Sequence, residues 1–136
     1  MSRRQTRSEA RECAFSLVFQ VSADNIDVDF LIEQLTEEKP ESIYNIEYIK
    51  TVLCGVADKT NELDERISAA LPSNRGITRI SKVVLAVLRL AVYEILYIED
   101  VPEKVAINEA VELAKKYGED DAPSFVNGVL SGVISR

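Results

Sequence analysis

An all-α fold, a compact bundle of about six or seven helices, is what this sequence predicts, and three observations predict it. Its 136 residues include only five glycines and four prolines, so little of the chain is given to turns. Apolar residues recur through long segments at the 3.6-residue period of a helix. No run alternates at period two between turn signals, as a half-buried strand would. A single domain of this length buries about two-thirds of its unfolded surface, enough for a real core.

A basic arm over residues 1–7, expected to be flexible, leads into a first helix from about Ser8 to Gln20. Its Ala10, Ala14, Leu17, Val18 and Val21 face inward. A short second helix runs from about Val28 to Leu35 on the set Val28, Leu31, Ile32 and Leu35. A long third helix rests on Ile46, Ile49, Leu53, Val56, Thr60, Leu63 and Ile67, spaced 3, 4, 3, 4, 3 and 4 apart. The segment Leu71-Pro72-Ser73-Asn74-Arg75-Gly76 is the expected main break. It separates an N-terminal three-helix half, about 8–71, from a C-terminal half, about 78–136.

Val83 to Ile98 is apolar at 14 of 16 positions, interrupted only by Arg89 and Glu94. A membrane-spanning helix wants about 20 apolar residues, so a buried core helix is expected. Because its apolar residues go all round, a partner is expected to cover one face. The next helix is punctuated by Pro102, suited to a first helical position, and by Gly118, suited to a left-handed C-terminal cap. Between them Ile107, Ala110, Val111, Ala114 and Tyr117 share a face. The last helix presents Phe125, Val126, Val129, Leu130 and Val133, with Gly128 and Gly132 as a strip for close backbone approach. Asn127 borders that apolar face and is expected to bond a neighbouring backbone.

Charge is unevenly distributed. The chain carries −7 overall, yet residues 1–23 hold four arginines against two glutamates, a net +2, leaving −9 for the remainder. On a helix Arg4, Arg7 and Arg11 would lie within about 60° of one another. Phe15 and Phe19 would continue that stripe toward solvent. Guanidinium groups that pair phosphates, beside rings that stack on unpaired bases, suit single-stranded RNA. The alternative is a solvated tail with both phenylalanines covered. Arg75, Arg79 and Lys82 form a second basic set, open between an RNA or partner role and an ordinary loop.

Other chemistries are poorly served. There is no histidine for general-base work, no phosphate-cradling glycine loop and no metal-ligand cluster. Two cysteines, Cys13 and Cys54, are too few for a disulfide scaffold, and the basic N-terminus lacks the apolar core of a signal peptide. A cytoplasmic protein without cofactor or metal, and not an enzyme, is expected.

Four blocks of sequence resemble the NusB family of bacterial transcription antitermination factors. They are P-x-x-V-A-I-N-E-A-V-E-L-A-K from Pro102 to Lys115 and F-V-N-G-V-L from Phe125 to Leu130, with Leu88-Arg89-Leu90-Ala91-Val92-Tyr93-Glu94 and Arg7-x-x-Ala10-Arg11-Glu12-x-Ala14. The resemblance runs from about residue 3 to residue 134. It implies binding of boxA-type single-stranded RNA together with NusE, a small-subunit ribosomal protein. It also implies assembly on RNA polymerase with other Nus factors. The RNA-binding positions it implies are Arg3, Arg4, Arg7 and Arg11, and Phe19 stands where the family often has tyrosine. Many members place an acidic–basic pair where this chain has Val84-Leu85. Those two are expected to bind a partner and to favour a homodimer. One RNA methyltransferase family carries a similar domain at its N-terminus, but a catalytic part of that kind is not expected within these 136 residues.

Overall fold

The computed structural model describes residues 4–24, 26–73 and 75–135. Regular structure among them is helical throughout: α1 (Arg7–Asp24), α2 (Val28–Glu38), α3 (Ile46–Asp58), α4 (Thr60–Ala70), α5 (Lys82–Tyr97), α6 (Glu103–Tyr117) and α7 (Ala122–Ile134). Two 3-10 turns, Pro40–Asn45 and Ile77–Arg79, complete the set. The chain divides into two compact units, the first ending at Asp58 and the second beginning at Lys59.

The expected long third helix is therefore two helices. Lys59 leaves helical geometry at φ −110° and ψ 20°. The apolar spacing keeps step across the break, because the Leu63 N–H still donates to the Lys59 carbonyl at 2.9 Å. What marks the break is the polar run Asp58–Glu62, where Asp, Thr and Asn compete with the helix for backbone bonds. The 71–76 segment, expected as the main divide, lies inside the second unit.

In the first unit α1 packs on α3, and the Pro40–Asn45 turn lies against all three helices. Asp27 caps α2 by accepting from the Phe30 N–H at 3.2 Å. Ala10, Ala14, Leu17 and Val18 are buried as their spacing predicts, as are Leu31, Ile32 and Leu35 and then Ile49, Leu53 and Val56. Cys13 is buried and Cys54 exposed, with no disulfide between them. Burial pushes the Cys13 thiol pKa up, which keeps the thiolate scarce. At about pH 8 a thiol reagent is expected to label Cys54 alone in the native protein, and Cys13 only after unfolding. Equal, fast labelling of both would contradict that burial.

In the second unit α5 is central, packing against α4, α6 and α7. Ser81 caps it by accepting from the Val84 N–H at 3.2 Å. Val84, Ala86, Val87, Leu88, Leu90, Ala91, Val92 and Tyr93 are all buried. Of the two polar residues that interrupt α5, Glu94 is buried with this core and Arg89 is half-buried. Arg89 turns toward α4 and pairs in bidentate fashion with Asp64, Nε and an Nη each donating at 2.8 Å. At the end of α5 the Tyr97 hydroxyl donates to the Glu62 carboxylate, which raises the pKa of the phenol. No helix of the described residues is long and apolar enough to cross a membrane.

Two glycines do different things from those expected. Gly118 does end α6, but at φ −99° and ψ −179°, extended rather than left-handed. Its reason is space: a Cβ there would sit 2.7 Å from the Ala122 Cβ and 2.9 Å from the Ala114 carbonyl. In α7, a Cβ on Gly132 would meet the Ala70 Cβ at 3.1 Å, whereas Gly128 faces open space. Close approach therefore occurs at one end of the expected strip only. Asn127 is exposed, so its expected bond into a neighbouring helix end is not made through burial. Pro102 stands just outside α6, one residue before its first turn.

Candidate nucleic-acid interface

The basic N-terminal segment is held in place by a local capping box and by bonds from Asn45. Thr6 and Glu9 form a reciprocal capping box: the Glu9 N–H donates to Thr6 Oγ1 at 3.1 Å, and the Thr6 N–H donates to Glu9 Oε1 at 2.9 Å. That box fixes the start of α1 at Arg7. Just before it, Gln5 is buried at 5% exposure. Asn45 Nδ2 donates to both the backbone and the side-chain oxygen of Gln5, each at 3.1 Å. Gln5 Nε2 in turn donates to the Cys13 sulfur at 3.6 Å. The arm expected to be flexible is thus tied down from Gln5 onward.

This anchoring brings three of the expected arginines to two tyrosines. The Arg4 guanidinium lies 6.0 Å from the Tyr44 ring centroid, near the outer limit of a cation–π contact. Arg7 lies 4.4 Å and Arg11 5.7 Å from the Tyr48 ring centroid. Tyr44 is the next-to-last residue of the Pro40–Asn45 turn, and Tyr48 follows four residues later in α3. Arg4 and Arg7 are exposed. Arg11 is not: at 4% exposure it lies beneath the surface, against Tyr48, itself 8% exposed. It cannot reach a phosphate from there without leaving its site. Arg3 lies outside the described residues.

The aromatic partners are not those expected. Phe15 is buried and Phe19 half-buried, because the stripe they continue turns into the first unit rather than toward solvent. The rings beside the arginines come instead from Tyr44 and Tyr48. Their i, i+4 spacing was the available signal, hidden because Tyr44 belongs to a 3-10 turn that no periodicity announced.

In the second unit Arg75, Arg79 and Lys82 are all exposed, around the Ile77–Arg79 turn and the first turn of α5. The Arg75 guanidinium lies 4.4 Å from the Phe125 ring centroid, a guanidinium–aromatic pair within the second unit. Val84 corrects the expectation placed on it. It is buried at 7% exposure, and its Cγ2 would lie 3.7 Å from a Cβ on Gly118. Leu85 is half-buried. Most apolar residues of α5 are buried by the chain itself, with Val83, Leu85, Ile95 and Leu96 half-buried and Tyr97 exposed, so Val84 presents no surface to a partner.

The NusB family model matches residues 8–135. A transcription antitermination protein NusB from Clostridium botulinum is 40% identical over 136 residues, 100% of each chain. One from Clostridium novyi is 37% identical over 130 residues, covering 94% of this chain and 97% of that one. The structure of T. maritima NusB matches with a TM-score of 0.85 at 30% identity, over 98% of this chain and 94% of that one. A chain from the crystal structure of antitermination factors NusB and NusE in complex with double-stranded RNA matches with a TM-score of 0.82. Its identity is 28%, over 95% of this chain and 96% of that one. Sequence and fold agree along nearly the whole length, and the chain belongs to the NusB family.

Proposed function

We infer that this chain is an RNA-binding transcription antitermination protein that acts with NusE. Its RNA is of the boxA type in nascent transcripts, and the complex assembles on RNA polymerase with other Nus factors in the cytoplasm. The function is one of binding, without catalysis. The observation that carries this reading is the row of arginines set over Tyr44 and Tyr48 in an otherwise acidic chain. Arg4 and Arg7, with Arg3, supply cations to phosphates, and a field acting within a Debye length of roughly 8 Å is little affected by distant acidity. Arg75, Arg79 and Lys82 offer a second cationic set for RNA or for a protein partner. A relative crystallised with NusE and double-stranded RNA supports the same partners. That RNA is a duplex, which favours a second reading in which paired RNA is bound as well.

A salt titration with NusE present tests both. If Arg3, Arg4 and Arg7 each neutralise one phosphate, log K against log[salt] should fall with a slope of about −2.1 on a single strand. A fourfold rise in salt then weakens binding roughly 20-fold. Arg7→Ala should flatten the slope by about 0.7 while the fold persists, since the side chain is exposed. The same titration on a duplex decides the second reading. No difference between boxA and scrambled strands, with identical slopes for wild type and variant, would leave a protein–protein interaction module as the better account.

A further inference from the structure

We propose that Tyr44 is a nucleobase-stacking platform, taking one unpaired base from an RNA strand whose phosphates are held by Arg4 and Arg7. The proposal rests on the RNA-binding reading and adds a residue and a contact to it. Tyr44 and Tyr48 make an informative pair, because they differ in what covers them. Tyr48 is 8% exposed and has two guanidinium groups near its ring, Arg7 at 4.4 Å and Arg11 at 5.7 Å. Tyr44 is 51% exposed, and the Arg4 guanidinium beside it stands off at 6.0 Å. One ring is committed to the protein and the other is presented.

Position supports the same conclusion. A large aromatic left half in water is out of place as a core residue, yet this one is not on a loose loop. Asn45, its chain neighbour, is bonded twice to Gln5 at 3.1 Å, and Gln5 lies directly after Arg4. The ring and the cation are thereby held on two segments clamped to each other. A phosphate paired to Arg4 places its own nucleotide's base within reach of Tyr44, whose ring centroid lies 6.0 Å from that guanidinium. Stacking there needs no hydrogen-bond readout, so it adds affinity to any unpaired base, and a base locked in a duplex cannot use it.

The test measures binding of a boxA-type single strand carrying 2-aminopurine, with NusE present, to wild type, Tyr44→Ala and Tyr44→Phe. Tyr44→Ala is expected to weaken single-strand binding roughly 5- to 150-fold, the range of one stacked base. It should leave the salt slope unaltered and abolish the 2-aminopurine quenching that wild type produces. Tyr44→Phe should retain both affinity and quenching, and duplex binding should be the same for all three. Thermal melting of Tyr44→Ala close to wild type confirms that folding is not the cause. Wild type that binds with a steep salt slope, while Tyr44→Ala binds equally well, overturns the stacking platform alone. Wild type that fails to bind either RNA overturns the RNA-binding reading and the platform with it.

Discussion

Replacing Arg11 by alanine is expected to cost about 3 kcal/mol of stability and to leave the salt dependence of RNA binding where wild type has it. The residue is 4% exposed and its guanidinium lies 5.7 Å from the Tyr48 ring centroid. Truncation to alanine, which keeps Cβ, removes two buried methylenes, worth roughly 0.8 kcal/mol each, and a desolvated cation–π contact of about 1–2 kcal/mol. These sum to the stated loss once partial relaxation is allowed. For a chain of this size that loss lowers Tm by roughly 10 °C. Thermal melting together with the salt titration checks it. A melting curve unaltered by the substitution, with a flattened salt slope, would return Arg11 to the RNA surface.

Leu88→Ala is expected to destabilise by about 2–5 kcal/mol, the range for a leucine removed from a packed core. Leu88 is fully buried in the middle of α5, the helix against which α4, α6 and α7 all pack. The loss is a large part of the roughly 5–15 kcal/mol that holds such a domain folded. It should also be independent of protein concentration, because Leu88 is buried entirely by its own chain. Chemical denaturation at two widely different concentrations reads both quantities. A midpoint that rises with concentration would show that self-association contributes to α5's stability after all.

Much of the fold was legible because helices write their faces at a fixed period. The inward sets of α1, α2 and α7 follow from spacing and most are buried, whereas in α6 Ala110 and Ala114 are buried with Ala106 and Leu113 while Ile107 and Val111 are half-buried and Tyr117 is exposed. What escaped was punctuation without period. Lys59 breaks a run whose apolar spacing continues undisturbed, and the Pro40–Asn45 turn is too short to carry a pattern. Thr6-x-x-Glu9 was a readable start signal for α1, placing its first residue at Arg7, one ahead of the expected Ser8. The site was legible in its charges and not in its rings. A helical projection puts Arg7 and Arg11 on one stripe, but says nothing of depth. One turn further along, Arg11 meets Tyr48 from another helix and is closed over, while Arg4 precedes the helix altogether. Val84 failed for a related reason: comparison with charged residues at that position suggested exposure, whereas Ser81's cap and Gly118's missing side chain place it inside.

The two bonds from Asn45 to Gln5 have a thermodynamic consequence for any strand that docks there. A disordered basic arm would have to give up conformational entropy on binding, about 1–2 kcal/mol for each backbone residue ordered. Here the residues from Gln5 to Arg7 have surrendered that freedom during folding. Association can therefore proceed as the meeting of two preformed surfaces, with little of the heat-capacity signature that coupled folding leaves. Cutting the tie with Asn45→Ala would return the penalty to the binding step, slowing capture of the strand even though no group that touches it had been altered.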